Sequence, residues 1–386
     1  MHLITQRLIV CGVLCLPPLS PASAQGQPAS APAVSKSDHA PVPITHWLKQ
    51  PDAWFTTPEG EQVLTVVLSW QSRHGGWHKN YDSLTPAPQA LREVEDGKIP
   101  AGDTRRVWED VATIDNDATY SELRLLARAI RVTGRADLRS AFDRGVEYLL
   151  RMQYPSGGFP QRFPLQNNYG RHITYNDGAM VGVLTFLRDA SEAGRDFAFI
   201  PPETRTRMQQ ALSRGIDCIL STQIVTDGQP TVWCQQHDEV TLAPAGARAY
   251  ELPSYCSSES AGVTLFLMDI PNPDARVIRA IDGAVAWFEK TKIIGKKYER
   301  VPTPNTPKGT DRHLVDDPTG NTGPLWARFY DLKTTQPMFV DRDGVPKASV
   351  LDIGYERRNG YAWYSTMPQK VLKAYGEWKK RVEKSR

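Results

Sequence analysis

Four stretches of this 386-residue chain gather side chains able to do chemistry. The first carries Trp77-His78-Lys79-Asn80 and ends on Thr113-Ile114-Asp115-Asn116-Asp117, and the second ends on Thr174-Tyr175-Asn176-Asp177. The third holds Trp233-Cys234-Gln235-Gln236-His237-Asp238-Glu239 and Ala247-Arg248-Ala249-Tyr250-Glu251. Arg312, Asp316, Asp317, Arg328, Arg357 and Arg358 lie in the fourth. Carboxylate and amide oxygens are hard donors suited to a divalent cation, and guanidinium forks pair with carboxylates. Brought to one place, these groups would bind a cation and a carboxylate-bearing ligand.

Each group also has a plainer reading. Asp177 stands where a helix begins and would serve as an N-cap. Capping explains Asp115 and Asn116 less well, because Thr119-x-x-Glu122 already forms a capping box there. His237-Asp238-Glu239 lacks the spacing of a zinc site and reads as a loop with a hydrogen-bonded histidine. The loop tryptophans read as core, and Arg357 and Arg358 as partners of surface acids such as Glu356.

Elements that would position these groups follow from the helical period. Apolar stripes run through Val63, Val67 and Trp70; Leu123, Leu126 and Ile130; and Leu138, Phe142, Val146 and Leu149. They continue through Met180, Leu184 and Leu187; Met208, Leu212, Ile216 and Ile219; Val263 to Met268; Ile278 to Phe288; and Val371 to Val382. No alternating strand pattern competes, so the expected fold class is all-α. Short turns alternate with long connections, at 74–118, 153–176, 223–256 and 293–367, which puts every long loop at one end of antiparallel hairpins. A weak repeat supports stacking. Gln71 precedes Gly75-Gly76-Trp77, Gln153 precedes Gly157-Gly158-Phe159, and Gln223 precedes Gly228 and Trp233. Hairpins repeated in this way predict an (α/α) toroid or a curled solenoid.

Composition narrows the partners. With 46 Lys+Arg against 43 Asp+Glu the formal charge is +3, which excludes nucleic-acid binding by net charge. Residues 1–24 read as a signal peptide: His2 and Arg7, the apolar run Leu8 to Leu16, then Ala22-Ser23-Ala24. Residues 25–40 form a Pro/Ala/Ser linker, and 41–386 a single catalytic domain. An exported, non-membrane monomer, secreted or periplasmic, is expected. Cleavage would leave Cys218, Cys234 and Cys256, with room for one disulfide.

The strings GGWHKNYDS, TIDNDATYSELRLLARA, GGFPQRFP, HITYNDGAMVGVL, WCQQHDEVTLAPAGARAYELPS and GYERRNGYAWY closely resemble pectate lyases of polysaccharide lyase family 10. The likeness runs from about His46 to about Trp378. It implies the toroid, Ca²⁺, and cleavage of polygalacturonate (de-esterified pectin) by anti β-elimination to 4,5-unsaturated oligogalacturonides. It further implies Arg248 as the base, Asp177 and Asp115 as calcium ligands, and Asn116, Lys79 and Arg328 as substrate contacts. Arg312 matches more loosely, and Arg357 and Arg358 are carried as substrate-binding candidates. The family pattern often has Pro at the position of His78, a change expected to affect outer subsites. An inverting glycosidase using two of Asp115, Asp177, Asp238 and Glu239 is the alternative enzyme, and a calcium-dependent pectin-binding module the non-catalytic one. A terpenoid cyclase fits poorly, for no DDxxD run is present.

Overall fold

Helix boundaries fall where the sequence punctuates them. In the computed structural model, which describes residues 40–89 and 112–384, a short α1 (Ile44–Trp47) precedes α2 (Pro58–Ser69). Thr57 caps α2 by accepting from the Gly60 N–H at 3.1 Å. Helices α3 (Tyr120–Thr133) and α4 (Ala136–Met152) form a hairpin that turns on Gly134, whose φ of 65° suits a helix C-terminus. The next hairpins are α5 (Ala179–Ser191) with α6 (Pro202–Thr222), and α7 (Ser257–Met268) with α8 (Ala275–Thr291). Asp274 caps α8 through the N–H groups of Arg276 and Val277, both at 2.9 Å. After α9 (Tyr355–Gly360), α10 (Met367–Lys384) packs on α7 and α8.

The principal contacts make two rows, α3–α5–α7 and α4–α6–α8, with α1 and the turn Asp52–Thr56 against α3 at one end and α10 at the other. The helices of the first row are the more deeply buried. Helix α7 buries apolar side chains all round, as an interior helix must.

The all-α expectation is corrected. Strands lace the long loops together in chain order; most are two residues long, where sequence periodicity has no purchase, and the two seven-residue strands of one hairpin show no clean alternation of buried and exposed positions. Thr113 bridges Arg162, joining the first loop to the second. Ile173–Thr174, Gln236–His237 and Pro244–Ala245 form an antiparallel sheet joining the second to the third, with Ile173 opposite His237. Tyr255–Cys256 pairs with Phe329–Tyr330, and the longest hairpin is Lys296–Pro302 with Thr310–Asp316. The toroid is corrected with it: the principal helix contacts form rows flanked by other elements, not a closed ring of hairpins.

The repeat has a physical meaning. Gln71, Gln153 and Gln223 each end a helix and donate twice: to a carbonyl of their own loop (Gly75, Gly157, Thr231) and to one on the neighbouring helix (Ala141, Ala211, Ala280), all at 2.8–2.9 Å. Glycine is required at the turn because the chains nearly touch. A Cβ on Gly75 or Gly157 would stand 2.3 or 1.9 Å from the carbonyl oxygen of Arg144 or Arg214. Trp77 and Trp233 are wholly buried and donate to Val67 and Ile219 carbonyls, so they are core, as expected.

The expected signal peptide and, except for Ala40, the expected linker lie outside the described residues. Among the described residues no helix is long and apolar enough to cross a membrane. Cys218, Cys234 and Cys256 are all buried free thiols, so none of them is disulfide-bonded.

Candidate active site

Asp115 and Asp177 occupy two matching turns. Asp115–Asp117 and Asn176–Gly178 are single 3-10 turns that pack on each other. In each, a threonine two residues earlier accepts the backbone N–H: Asp115 N to Thr113 Oγ1 at 3.1 Å, Asn176 N to Thr174 Oγ1 at 3.3 Å. Left-handed backbone recurs at Asn116 (φ 51°), Asp117 (64°) and Asp177 (49°), residue types that tolerate it. Thr119 is at φ 71°, costly for a β-branched residue. Its hydroxyl accepts from Trp77 N–H at 3.0 Å and donates to Thr113 C=O at 2.8 Å. The expected capping box is therefore corrected, since Thr119 anchors the first loop and does not cap α3. Nor does the Asp177 side chain cap a helix.

The two carboxylates converge. The Asn176 side-chain amide donates to Asp115 Oδ1 at 3.2 Å and to Asp177 Oδ2 at 2.9 Å. Lys79 Nζ lies 2.6 Å from Asp115 Oδ2. Asp115 is buried whereas the Asp177 side chain is half exposed, and burial raises the Asp177 pKa despite Arg328 nearby. Asn116 donates to Asn80 Oδ1 at 2.9 Å. Lys79, Asp115, Asn116, Asn176 and Asp177 line a cleft of about 440 Å³, together with Gln161, Tyr169, Gln235, Gln236, Arg248 and Glu251.

Arg248 holds Glu251 by two nitrogens, Nε at 2.7 Å from Oε2 and Nη2 against Oε1. Glu251 is buried and also accepts from Tyr361 Oη at 2.7 Å and Gln235 Nε2 at 3.3 Å. Burial would lower the Arg248 pKa, but the Glu251 carboxylate outweighs it and the pKa is raised. Arg328 is buried, paired through Nη2 with buried Glu259 and 3.6 Å from Asp177 Oδ1, and its Nε has no partner. Tyr250 and Tyr361 sit between the arginines. Arg248 and Arg357 lie 4.9 and 4.3 Å from the Tyr250 ring centroid, and Arg328 4.7 Å from that of Tyr361.

The remaining candidates divide. Arg357 is buried against these tyrosines, while Arg358 is spent on Asp311 at 2.5 and 2.9 Å. Arg312 lies on the strand hairpin over Tyr298, and none of Arg312, Arg328, Arg357 and Arg358 is among the residues that line the cleft. His237 is the expected loop histidine: it is buried, bonded to Leu242 O and Cys234 N, and pushed down to about 4 by burial. Asp238 caps its own turn at Val240 and Thr241. Glu239 pairs with Arg171 and His172; among the described residues, His172, Asp238 and Glu239 are the one group of three metal-capable side chains close together.

Sequence reasoning named Asn176 and Glu251 without giving them a role, and missed Glu259 and Tyr361. Glu259 had a signal: an acid on an otherwise apolar interior helix must find a cation. The cleft's oxygens suit a hard cation. Asp115 and Asp177 converge there, and buried Gln161 Oε1, Gln235 Oε1 and Gln236 Oε1 lack protein partners.

Comparison with known proteins shows the family. The profile of the pectic acid lyase family matches residues 71–372. A family 10 polysaccharide lyase from Cellvibrio cellulosa is 31% identical, with a TM-score of 0.69, over 87% of this chain and 96% of that one. An aspartate-to-alanine variant of a family 10 lyase from the same organism, in complex with trigalacturonic acid, matches with the same identity and TM-score over 97% of its chain. Among curated proteins nothing matches. The chain is a lyase and belongs to the pectic acid lyase family, the family 10 polysaccharide lyases.

Proposed function

We propose that the Asp115–Asp177–Arg248 cleft cleaves polygalacturonate by Ca²⁺-assisted β-elimination, giving 4,5-unsaturated oligogalacturonides. The observation that carries this reading is the convergence of two carboxylates and the Arg248 guanidinium at one cleft, with the buried Arg328 guanidinium 3.6 Å behind Asp177 Oδ1. It occurs in a chain 31% identical to a lyase complexed with trigalacturonic acid.

The C5 proton of a uronate lies α to a carboxylate, whose charge opposes carbanion character. Asp177 and Asp115 would hold the ion. Bound there, Ca²⁺ supplies charge neutralisation for the uronate carboxylate. Arg328, with a free Nε donor, grips the same carboxylate, and Asn116 and Lys79 hold sugar oxygens along the cleft. Arg248 takes the C5 proton; the C–H electrons form the C4–C5 double bond, the C4–O4 bond breaks, and O4 is protonated by water. The Glu251 pair orients the guanidinium but raises its pKa, so the expected rate climbs with pH into the alkaline range.

An inverting hydrolase fits less well. One amide nitrogen contacts both Asp115 and Asp177, so those oxygens lie at most about 6 Å apart, under the ~6.5–9.5 Å such enzymes use. Asp238 and Glu239 are committed elsewhere. Export by residues 1–24 belongs to the same reading, with the linker preceding one catalytic domain.

Polygalacturonate with and without a chelator, followed by ultraviolet absorbance, tests the proposal. Unsaturated product that disappears with chelator and returns with Ca²⁺ is expected. Reducing ends without absorbance would mean hydrolysis, and binding without new ends a non-catalytic module.

A further inference from the structure

The candidate base and the two carboxylates are tied to each other by side chains. Gln235, 4% exposed and just ahead of the strand Gln236–His237, stands between them. Its amide nitrogen donates to Asn176 Oδ1 at 2.8 Å and to Glu251 Oε1 at 3.3 Å. Asn176 carries the first bond onward, since its own amide nitrogen donates to Asp115 Oδ1 and Asp177 Oδ2. Glu251 carries the second, since both its carboxylate oxygens hold the Arg248 guanidinium. The backbone adds another hold: Gln235 C=O accepts from Tyr175 N–H at 2.9 Å, at the head of the turn that contains Asn176.

Hydrogen-bond chemistry fixes which way both amides point. Carboxylates only accept, and guanidiniums only donate. Asn176 must therefore turn its nitrogen to Asp115 and Asp177, and its oxygen to Arg328 Nη2, 3.4 Å away. That oxygen and Glu251 Oε1 both take a donor from Gln235, whose nitrogen must face them. The amide keeps this orientation although its own buried Oε1 is left without a partner. An acceptor stranded in this way destabilises a fold, so the tie is held against a local penalty.

From this geometry we propose that Gln235 is a positioning residue for the elimination: through Asn176 and Glu251 it sets the distance between the carboxylates that hold the ion and the guanidinium that takes the proton. The inference rests on the lyase reading and adds to it the part that joins its two halves. Proton abstraction is sensitive to that distance, because a misplacement of about 1 Å can lower a rate about 10²-fold. In this role Gln235 acts through its neighbours, so its loss falls on kcat and leaves the binding of ion and polymer in place.

The test compares wild type with Gln235→Met, which keeps the length of the side chain and removes the amide. Ca²⁺ affinity is read by calorimetry without substrate, and kcat and KM are measured on polygalacturonate at saturating Ca²⁺. The expected result is a kcat about 10-fold lower, with KM and the Ca²⁺ Kd each within about 3-fold of wild type. Because the tie runs through Glu251, adding Gln235→Met to Glu251→Ala should lower kcat by less than about 2-fold further. A role confined to the fold predicts a lower denaturation midpoint with kcat unchanged, and that result overturns the proposal. So does a full loss repeated in the Glu251→Ala background. If Gln235→Met fails to fold, Gln235→Asn, whose shorter amide cannot reach both partners, should lower kcat about 3-fold. Wild-type kcat in that variant overturns the proposal. Absence of unsaturated product from wild type overturns the lyase reading itself, and the inference with it, whereas product from wild type with kcat unchanged in the variants overturns the inference alone.

Discussion

Arginine is paired closely with a carboxylate both at the strand hairpin and at the candidate cleft, and the surroundings of the two pairings differ. In the strand hairpin, Arg358 binds Asp311 through two nitrogens, Asn359 Nδ2 adds a third donor at 2.7 Å, and the Arg358 guanidinium holds the Asp311 carboxyl well below the usual range. In the cleft, Arg248 and Arg328 are paired just as closely with Glu251 and Glu259. Around them, however, Arg328 Nε and several glutamine oxygens stay unsatisfied, and half-exposed Asp177 stands within reach. An ion pair alone therefore marks nothing. What marks the cleft is polar capacity left over after the protein has bonded itself.

The sharpest way to break the comparison is to remove one arginine from each region. Arg248→Ala should lower kcat by about 10²–10⁴-fold with polymer binding retained, the size of a general-base contribution. Arg358→Ala should leave kcat/KM within about 2-fold but cost roughly 3–5 kcal/mol of stability, because it strands buried Asp311. Denaturant midpoints and initial rates separate the two effects. Comparable rate losses in both would dissolve the distinction.

A smaller effect is expected at Arg328. Arg328→Lys keeps the charge and loses the fork, so kcat/KM on polygalacturonate should fall at least ~10-fold, about 1.4 kcal/mol of transition-state binding. Highly esterified polymer, with no carboxylate for the cleft to read, should be poor for wild type and little worse for the variant. An equal loss on both polymers would argue that Arg328 only supports Glu259.

Much of this was legible in the residues. Gln71, Gln153 and Gln223 announced the stacked hairpins, because a glutamine ending each helix before a glycine turn is a repeated physical need. Asp115 and Asp177 were legible because each ends a long loop ahead of a helix in the first row. The small strands were not, since two-residue pairs such as Ile173–Thr174 carry no period. Nor was the separation of adjacent Arg357 and Arg358. Neighbouring side chains on the short helix α9 diverge, sending one to Tyr250 and the other to Asp311. Nor was the direction of the Arg248 pKa, which Glu251, three residues on and given no role by the sequence, raises.

That last point sets the finest test of the comparison. Glu251 raises the Arg248 pKa, so the free enzyme holds the guanidinium in its protonated form more firmly than an isolated arginine. If Arg248 is the base, the rate follows its small neutral fraction, and anything lowering the pKa enlarges that fraction at a given pH. Glu251→Gln removes the charge while an amide still bonds Arg248 and Tyr361. The rising limb of the pH–rate profile should therefore move to lower pH, with kcat a few-fold higher at a fixed pH on that limb. A purely positional Arg248 predicts otherwise: the limb stays in place and KM rises as the guanidinium loses its anchor. Because the readout is the position of the limb and not its height, a modest loss of orientation in the variant does not obscure the answer.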